Sequence, residues 1–227
     1  MRRKSPSSTI VVFVRHGSTP STGKDMPEPG PGPSLSELGR RQAEEAAQYI
    51  AAWKATLPPL AAIYSSPLCR ARETAAIVAK ALEMEVVERP DLADCDAGEW
   101  AGQPLRQLAR KAEWATVQQH PSGFQFPGGE AMAAMSGRLL STVRDLVLAH
   151  EGRSVVAVSH SDPIKAVLSD ALGLHLDLFQ RILVSPASVS AVSYSPAGPT
   201  VLLTNWAGPS VHAQAPAGTG ATGRSAT

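Results

Sequence analysis

The stretch Thr9-Ile10-Val11-Val12-Phe13-Val14-Arg15-His16-Gly17-Ser18-Thr19 carries the strongest structural signal in the sequence. Its first six residues are almost wholly apolar and rich in β-branched side chains, which is typical of a strand buried on both faces. The apolar run then stops at Arg15 and His16, two side chains that a buried core does not need. Because open α/β sheets bind ligands beyond the carboxyl ends of their strands, this junction predicts a functional site.

Outward from this stretch, predicted strands alternate with predicted helices. The further strands are expected at residues 61–65, 85–88, 154–159, 188–193 and 201–205. The expected helices cover residues 37–54, 67–82, 105–118, a segment from Met132 to about His150, and 163–172. This alternation predicts an α/β fold, a three-layer αβα sandwich with a mostly parallel central sheet.

Three of the predicted helices have recognisable start signals. Ser34 and Glu37 have the spacing of a capping box. Ser66-Pro67 reads as an N-cap followed by a first-turn proline, and Ser161-Asp162-Pro163 gives a similar start to a later helix. These signals place helix N-termini directly after the strands at residues 61–65 and 154–159.

The length of 227 residues suits one domain, and 43% hydrophobic residues are enough for a core. We expect a flexible tail at residues 1–8, a domain at 9–206 and a disordered tail at 207–227. Residues 20–34 hold five prolines and three glycines and predict a long loop of functional significance. An insertion at about 101–130 is expected near the site.

Charge and cysteine content exclude several function classes. The formal net charge is +1, from 21 basic and 20 acidic residues, so neither nucleic acid nor a membrane surface is expected as a partner. Two cysteines are too few for a disulfide scaffold or a four-thiolate zinc site. The apolar run at residues 10–14 is too short for a membrane span or a signal peptide, so we expect a cytoplasmic protein.

Polar side chains that follow three strands are expected to converge. They are Arg15 and His16 after the first strand, Arg70 after the second and His160 after the fourth. Two guanidiniums, two imidazoles and the N-termini of two helices in one pocket favour a tetrahedral dianion such as phosphate.

Histidine adds chemistry to such a binding site. A neutral imidazole of His16 can attack phosphorus and form a phosphohistidine, and Gly17 would let the backbone approach the ligand. The leaving oxygen then needs an acid. Asp94, Asp96 and Glu99 are the candidates, and the residues alone leave the choice among them open.

Six blocks of this sequence together resemble the histidine phosphatase superfamily, the phosphoglycerate mutase-like proteins. They are residues 14–19, 35–43, 65–75, 98–102, 126–130 and 158–160. The blocks occur in the family's order and span about residues 9–206, which makes the set far more specific than any one block. Residues 105–205 are most similar to an actinobacterial branch often labelled "probable phosphomutase".

The resemblance implies a role for each matching residue. His16 would be the phosphorylated nucleophile, Arg15 and Arg70 would hold the phosphoryl oxygens, and His160 would complete the phosphate pocket. Asp94 lies where the family usually has a glutamate as general acid, so the carboxyl group is one methylene closer to the backbone.

Two further positions depart from the family's pattern on the phosphate side. Thr22 stands where the family often has an asparagine, and its hydroxyl would donate a hydrogen bond to phosphate. Ser161 replaces the usual glycine after the second histidine and is counted with the phosphate-binding residues.

The leading hypothesis is a phosphomonoesterase that acts on a small-molecule substrate without a cofactor or metal, with Asp94 as general acid and base. The alternative is a phosphomutase that uses the same phosphohistidine. The family's mutases carry a longer insertion with arginine and tyrosine, whereas residues 101–130 contain no tyrosine, which favours the phosphatase. A non-catalytic binder of phosphorylated ligands is a third hypothesis, and a metal hydrolase is disfavoured by the histidine spacing. The oligomeric state is left open.

Overall fold

A computed structural model describes residues 8–28 and 30–212 of the chain. Its central sheet has six strands: β1 (Thr9–Arg15), β2 (Leu60–Ser65), β3 (Val86–Glu88), β4 (Ser154–Ser159), β5 (Val189–Ser195) and β6 (Gly198–Trp206). Their order across the sheet is β3-β2-β4-β1-β5-β6. Strands β1 to β4 are parallel, and β5 and β6 join as an antiparallel hairpin at the edge. The predicted mostly parallel sheet is therefore confirmed.

The helices cover both faces of this sheet. They are α1 (Glu37–Trp53), α2 (Cys69–Leu82), α3 (Leu105–Leu108), α4 (Ala112–Gln119), α5 (Met132–Ala149), α6 (Ser161–Ala171) and α7 (Pro209–His212). Apolar residues of α1 and α2 form one core layer, and those of α4, α5 and α6 form the other. The three-layer sandwich is confirmed.

Strand β1 lies at the centre of both core layers. Val12 and Val14 face the α1 and α2 layer, while Val11 and Phe13 face the α5 and α6 layer, and all four are buried. Alternation of side chains along a strand produces this division. The two-sided burial expected for residues 9–14 is confirmed, and it holds the end of β1 rigidly in the molecule.

Helix starts differ from the predicted ones. Ser36, not Ser34, caps α1, since its side-chain oxygen accepts from the Gly39 N–H at 3.0 Å. Helix α2 begins at Cys69, two residues beyond Pro67, with no side-chain cap. Helix α6 begins two residues earlier than Pro163, at Ser161. At α1 the two serines have the same capping chemistry, whereas the residues that precede α2 and α6, Leu68 and His160, provide no side-chain cap.

The predicted insertion folds against the predicted loop. Residues 105–118, expected to be one helix, form α3 and α4 with a break between them. The backbone N–H of Leu105 donates to Lys24 O at 2.8 Å, and Asp25 pairs with Pro104 in an isolated β-bridge. The loop at residues 20–34 therefore packs against the segment at residues 101–130.

The chain ends lie partly outside the described residues. Pro209–His212 was expected in a disordered tail, but it forms a short helix in which Ser210 Oγ donates to Glu45 Oε1 at 2.6 Å. Residues 1–7 and 213–227 are outside the description, so the flexible tails predicted there stay predictions. No helix within residues 8–28 and 30–212 combines the length and the apolarity that a membrane span requires.

Candidate active site

The carboxyl ends of β1, β2 and β4 place three side chains beside one another. The backbone N–H of His16 donates to Ser159 O, and that of Ser66 donates to Val158 O, both at 3.0 Å. These bonds continue the sheet pairing past the strand ends, so His16, Ser66 and His160 are fixed relative to one another. The centroids of the two imidazole rings are 5.2 Å apart.

Gly17 lies against the first turn of α1. A Cβ atom at this position would collide with Gly39 O. The Gly17 N–H also donates to Thr74 Oγ1 on α2 at 3.1 Å. The close approach of two backbone segments therefore requires a glycine here, and the expected approach to a ligand stays a prediction.

His16 presents an unprotonated nitrogen to the site. Its Nδ1 lies 2.8 Å from Gly17 O, which accepts the ring N–H and so assigns the proton to Nδ1. Its Nε2 accepts from Arg70 Nε at 3.2 Å. Burial lowers the pKa of His16 well below 6.5, and His160, Arg15 and Arg70 lower it further. The free imidazole thus carries a lone pair suited to nucleophilic attack.

Arg70 links the nucleophile to the carboxylate. While its Nε faces His16, its Nη2 lies 3.0 Å from Asp94 Oδ2, and the arginine side chain is 4% exposed. Arg15 approaches from β1 and donates through Nη1 to Val184 O at 2.7 Å. Within the described residues, the buried Nε of Arg15 has no hydrogen-bond partner. Two guanidiniums therefore border the space beside His16.

His160 completes this cluster from β4. Its Nε2 lies 2.8 Å from Ser66 Oγ, and its Nδ1 lies 3.6 Å from Asp94 Oδ2. Burial lowers its pKa well below 6.5, and Arg70 and Arg15 act in the same direction. Ser66 was predicted as a helix cap, but its side chain orients this imidazole.

Of the three candidate acids, only Asp94 lies in the cluster. Its side chain is 17% exposed and contacts Arg70 and His160. Asp96 is exposed, and its Oδ1 accepts from the Gly98 N–H at 3.0 Å in a turn. Glu99 is exposed beside Gly128. Of the three candidates, Asp94 is therefore the one that lines the cleft beside His16.

The two remaining candidate residues, Thr22 and Ser161, line a cleft whose lining also includes His16, Arg70 and Asp94. Thr22 Oγ1 accepts from the Thr19 N–H at 2.8 Å and lies 3.0 Å from Thr19 Oγ1, so Thr19 orients the hydroxyl. Ser161 is the first residue of α6, where helix N–H groups favour an anion. The structure thus brings all seven predicted site residues to one place.

The cleft has a volume of about 300 Å³. The strand ends and α6 form its floor, and the loop at residues 20–34, α3, α4 and the start of α5 form its walls. No group of three or more His, Cys, Asp or Glu side chains arranged to share a cation occurs in the part of the chain that the structure describes. A cleft of this size suits a small-molecule ligand.

The sequence analysis did not single out Arg138, which holds the backbone segment that carries Asp94. Arg138 on α5 donates to Asp91 O at 2.7 Å and to Ala93 O at 3.2 Å, and it pairs with Glu130 at 2.8 Å. These bonds fix the segment that carries Asp94. The sequence feature that could have indicated this contact is the charge of Arg138, which lies within the apolar stripe of α5 between Met135 and Leu139.

The two buried histidines predict a pH-dependent stability. Both have lowered pKa values when folded and the ordinary value of 6.5 when unfolded, so only the unfolded chain takes up protons as the pH falls below 6.5. Stability is present above that pH and is lost below it, at about 1.4 kcal/mol per pH unit for each histidine. We expect urea midpoints to fall between pH 7.5 and 5.5, and to fall less steeply in His16→Asn. An equal slope in the two proteins would contradict this.

The comparisons with known proteins agree with this geometry. The model of the histidine phosphatase superfamily (branch 1) matches residues 11–207. The bifunctional protein Rv2228c of Mycobacterium tuberculosis is 33% identical over 202 residues, which cover 88% of this chain and 54% of that protein. The chain thus spans about half the length of that relative. Matches in Mycobacterium agree with the expected actinobacterial branch.

Relatives with phosphatase names also match. Phosphoserine phosphatase 1 of Hydrogenobacter thermophilus is 29% identical over 184 residues, covering 80% of this chain and 85% of that protein. The structure of a mycobacterial glucosyl-3-phosphoglycerate phosphatase superposes with a TM-score of 0.75 and 26% identity, covering 87% of this chain and 99% of that one. The motif order, the sheet topology and the matched span lead to one conclusion: the chain belongs to branch 1 of the histidine phosphatase superfamily.

Proposed function

We propose that this protein is a phosphomonoesterase that acts through a phosphohistidine on His16. The observation that carries the proposal is the state of the His16 ring: Nδ1 holds the proton, and Nε2 faces the site beside Arg70. The family membership and the phosphatases among the relatives support the reaction class.

The first step transfers the phosphoryl group to the enzyme. Arg15, Arg70 and the N-terminus of α6 at Ser161 bind the phosphoryl oxygens, and Thr22 donates its hydroxyl to one of them. A bond forms between His16 Nε2 and phosphorus while the bond from phosphorus to the leaving oxygen breaks. The carboxylic acid form of Asp94 gives its proton to that oxygen, which departs as an alcohol.

Substrate binding changes the partners of Arg70. In the free protein its Nη2 pairs with Asp94 at 3.0 Å. When a phosphoryl dianion occupies the site, the guanidinium turns part of its donor capacity to phosphate, which weakens its pair with Asp94. Binding therefore frees the Asp94 carboxyl to face the leaving oxygen.

The second step releases phosphate. The Asp94 carboxylate accepts a proton from water as the water oxygen attacks phosphorus, and the bond to His16 Nε2 breaks. His160 lies next to Asp94 and His16. It stabilises the charge on the transferring phosphoryl group by donating through Nδ1. The products are inorganic phosphate and the free imidazole.

Rapid quenching with a radiolabelled phosphomonoester in EDTA tests this proposal directly. We expect an adduct that is stable in alkali and labile in acid, forming before steady-state phosphate release. A long-lived adduct whose phosphoryl group passes to a second hydroxyl of the substrate would favour the phosphomutase instead. Phosphate binding with neither adduct nor hydrolysis would favour the binding module, and activity lost in EDTA would contradict the mechanism.

Arg138 provides a prediction on the positioning of the acid. Arg138→Met keeps an apolar stem but removes the bonds to Asp91 O and Ala93 O. We expect kcat/KM for an alkyl phosphate to fall about tenfold or more, because the general acid moves, with a smaller effect on kcat/KM for 4-nitrophenyl phosphate, whose leaving group needs little protonation. Melting should show a loss of about 1–3 kcal/mol.

A surface arginine serves as the control for Arg138. Arg72 on α2 forms a pair with Glu88 in which the side chains are 61% and 50% exposed. Arg72→Met is expected to change neither the kinetics nor the stability appreciably, since exposed pairs contribute about 0–1 kcal/mol. An equal loss on both substrates in Arg138→Met would indicate a structural role without an effect on the acid.

A further inference from the structure

The walls of the cleft away from the strand ends are apolar. The loop at residues 20–34 contributes Met26, and the insertion and the start of α5 contribute Leu105, Trp114, Val117, Phe126 and Met132. These side chains stand around the space that the alcohol part of a substrate occupies when its phosphate lies at His16. Burial of apolar surface is therefore the main contact available to that part.

The charges of the cleft are divided unevenly. Its lining cations, Arg15 and Arg70, both belong to the phosphate end. Among the described residues of the loop and the insertion, no Lys or Arg lines the cleft: Lys24 is exposed and bonds to Pro20 O, and Arg106 and Arg110 are exposed. The alcohol part of a substrate thus meets no cation of its own.

Two carboxylates besides Asp94 line the cleft. Asp25 comes from the loop, and Asp162 comes from the first turn of α6. The Asp162 side chain is 35% exposed, and its nearest cation is Lys165, with Nζ at 3.5 Å. Lys165 makes a shorter bond, 2.7 Å, to Gln180 Oε1. Lys165 therefore divides its hydrogen-bond donors between Asp162 and Gln180.

The charges that surround Asp162 are mixed. Desolvation raises the pKa of Asp162, Lys165 and Arg15 lower it, and the Asp94 carboxylate raises it. A second carboxylate brought into the cleft would add repulsion of the same sign as that from Asp94. An ammonium group would have the opposite effect.

We propose that the alcohol part of the substrate is apolar and carries no acidic group, and that Asp162 and Asp25 select against carboxylates and for amines. This specificity rests on the proposed phosphatase activity. The proposed specificity differs from that of a site for phosphoglycerate, because the carboxylate of phosphoglycerate needs a cation near the alcohol part of the substrate.

Three aryl phosphates of similar leaving-group chemistry test this specificity. They are phenyl phosphate, 4-carboxyphenyl phosphate and 4-(aminomethyl)phenyl phosphate, compared in EDTA at low ionic strength. We expect kcat/KM for the carboxylate to be about tenfold below that for phenyl phosphate, and that for the amine to be equal or higher. Phosphoethanolamine should likewise exceed phosphoserine, from which it differs by one carboxylate.

Substitutions that remove the charge of Asp162 or Asp25 test whether these carboxylates cause the lower kcat/KM for the carboxylate substrate. Asp162→Asn and Asp25→Asn are each expected to bring the ratio of kcat/KM for phenyl phosphate over 4-carboxyphenyl phosphate closer to one. Glu44→Gln makes the same change of charge on the exposed face of α1, outside the cleft, and should leave the ratio as in the wild type. Melting temperatures establish that each variant is folded.

The outcomes separate this inference from the proposed function. Turnover of phenyl phosphate with equal or faster turnover of the carboxylate overturns the inference and leaves the phosphatase intact. If no substrate turns over and no adduct forms, the proposed function fails. Calorimetric binding of phenyl and 4-carboxyphenyl phosphate to His16→Asn then still tests the charge preference, and tighter binding of the carboxylate would overturn it.

Discussion

His16→Asn is expected to abolish phosphomonoester hydrolysis and phosphoenzyme formation together, with kcat reduced by about 10⁴-fold or more. The asparagine amide can still donate to Gly17 O, as Nδ1–H does, but no atom replaces Nε2. The pocket of Arg15 and Arg70 stays intact, so phosphate binding should persist. Steady-state kinetics, rapid quenching and calorimetry with inorganic phosphate measure the three properties.

A second histidine provides the control for this substitution. His150 lies outside the cleft, and its Nε2 bonds to Tyr64 OH at 2.8 Å. His150→Asn is expected to change stability but to leave the phosphoenzyme and its turnover in place. Residual activity of His16→Asn near the wild-type value would refute the assignment of the nucleophile.

Asp94→Asn is expected to have the second largest effect, and the effect should depend on the leaving group. An amide cannot supply the proton, so alkyl phosphates should lose about 10²–10⁴-fold in kcat/KM. A 4-nitrophenolate departs without protonation, and its release in the first turnover should be affected least. A series of phosphomonoesters with graded leaving-group acidity measures this as a steeper dependence in the variant.

The neighbouring carboxylates are the controls for Asp94. Asp96→Asn and Glu99→Gln remove acids of the same segment that are exposed and outside the cleft. We expect the wild-type dependence on leaving group in both. A steeper dependence in either of them, with a wild-type dependence in Asp94→Asn, would transfer the role of the acid to that residue.

The strand framework and the residues at the floor of the cleft were predictable from local sequence. The β-branched run before Arg15 specifies a buried strand by itself, because side-chain alternation is a property of the backbone. The polar residues after the strands near Arg15, Ser66 and His160 then converge, because parallel strands share one edge. Ordered blocks spread along the chain supplied the family.

Local sequence was less informative about where helices begin. Ser34 and Ser36 have the same capping chemistry, and the selection of Ser36 depends on its bond to Ser18 O, which belongs to the loop after β1. Pro67 is a good first-turn residue, yet α2 begins at Cys69, whose N–H donates to Pro31 O. Contacts between distant segments outweighed intrinsic preference here.

The sequence by itself determined the layered α/β fold and the set of His16, Arg15, Arg70 and His160, because strand periodicity and strand ends are short-range properties. The resemblance to the family singled out Asp94, but only the tertiary structure placed its carboxyl beside Arg70 and His160. Only the tertiary structure showed that Arg138 holds its segment and placed carboxylates and apolar side chains along the walls of the cleft. Those features depend on packing between segments far apart in the chain, and no local pattern specifies such packing.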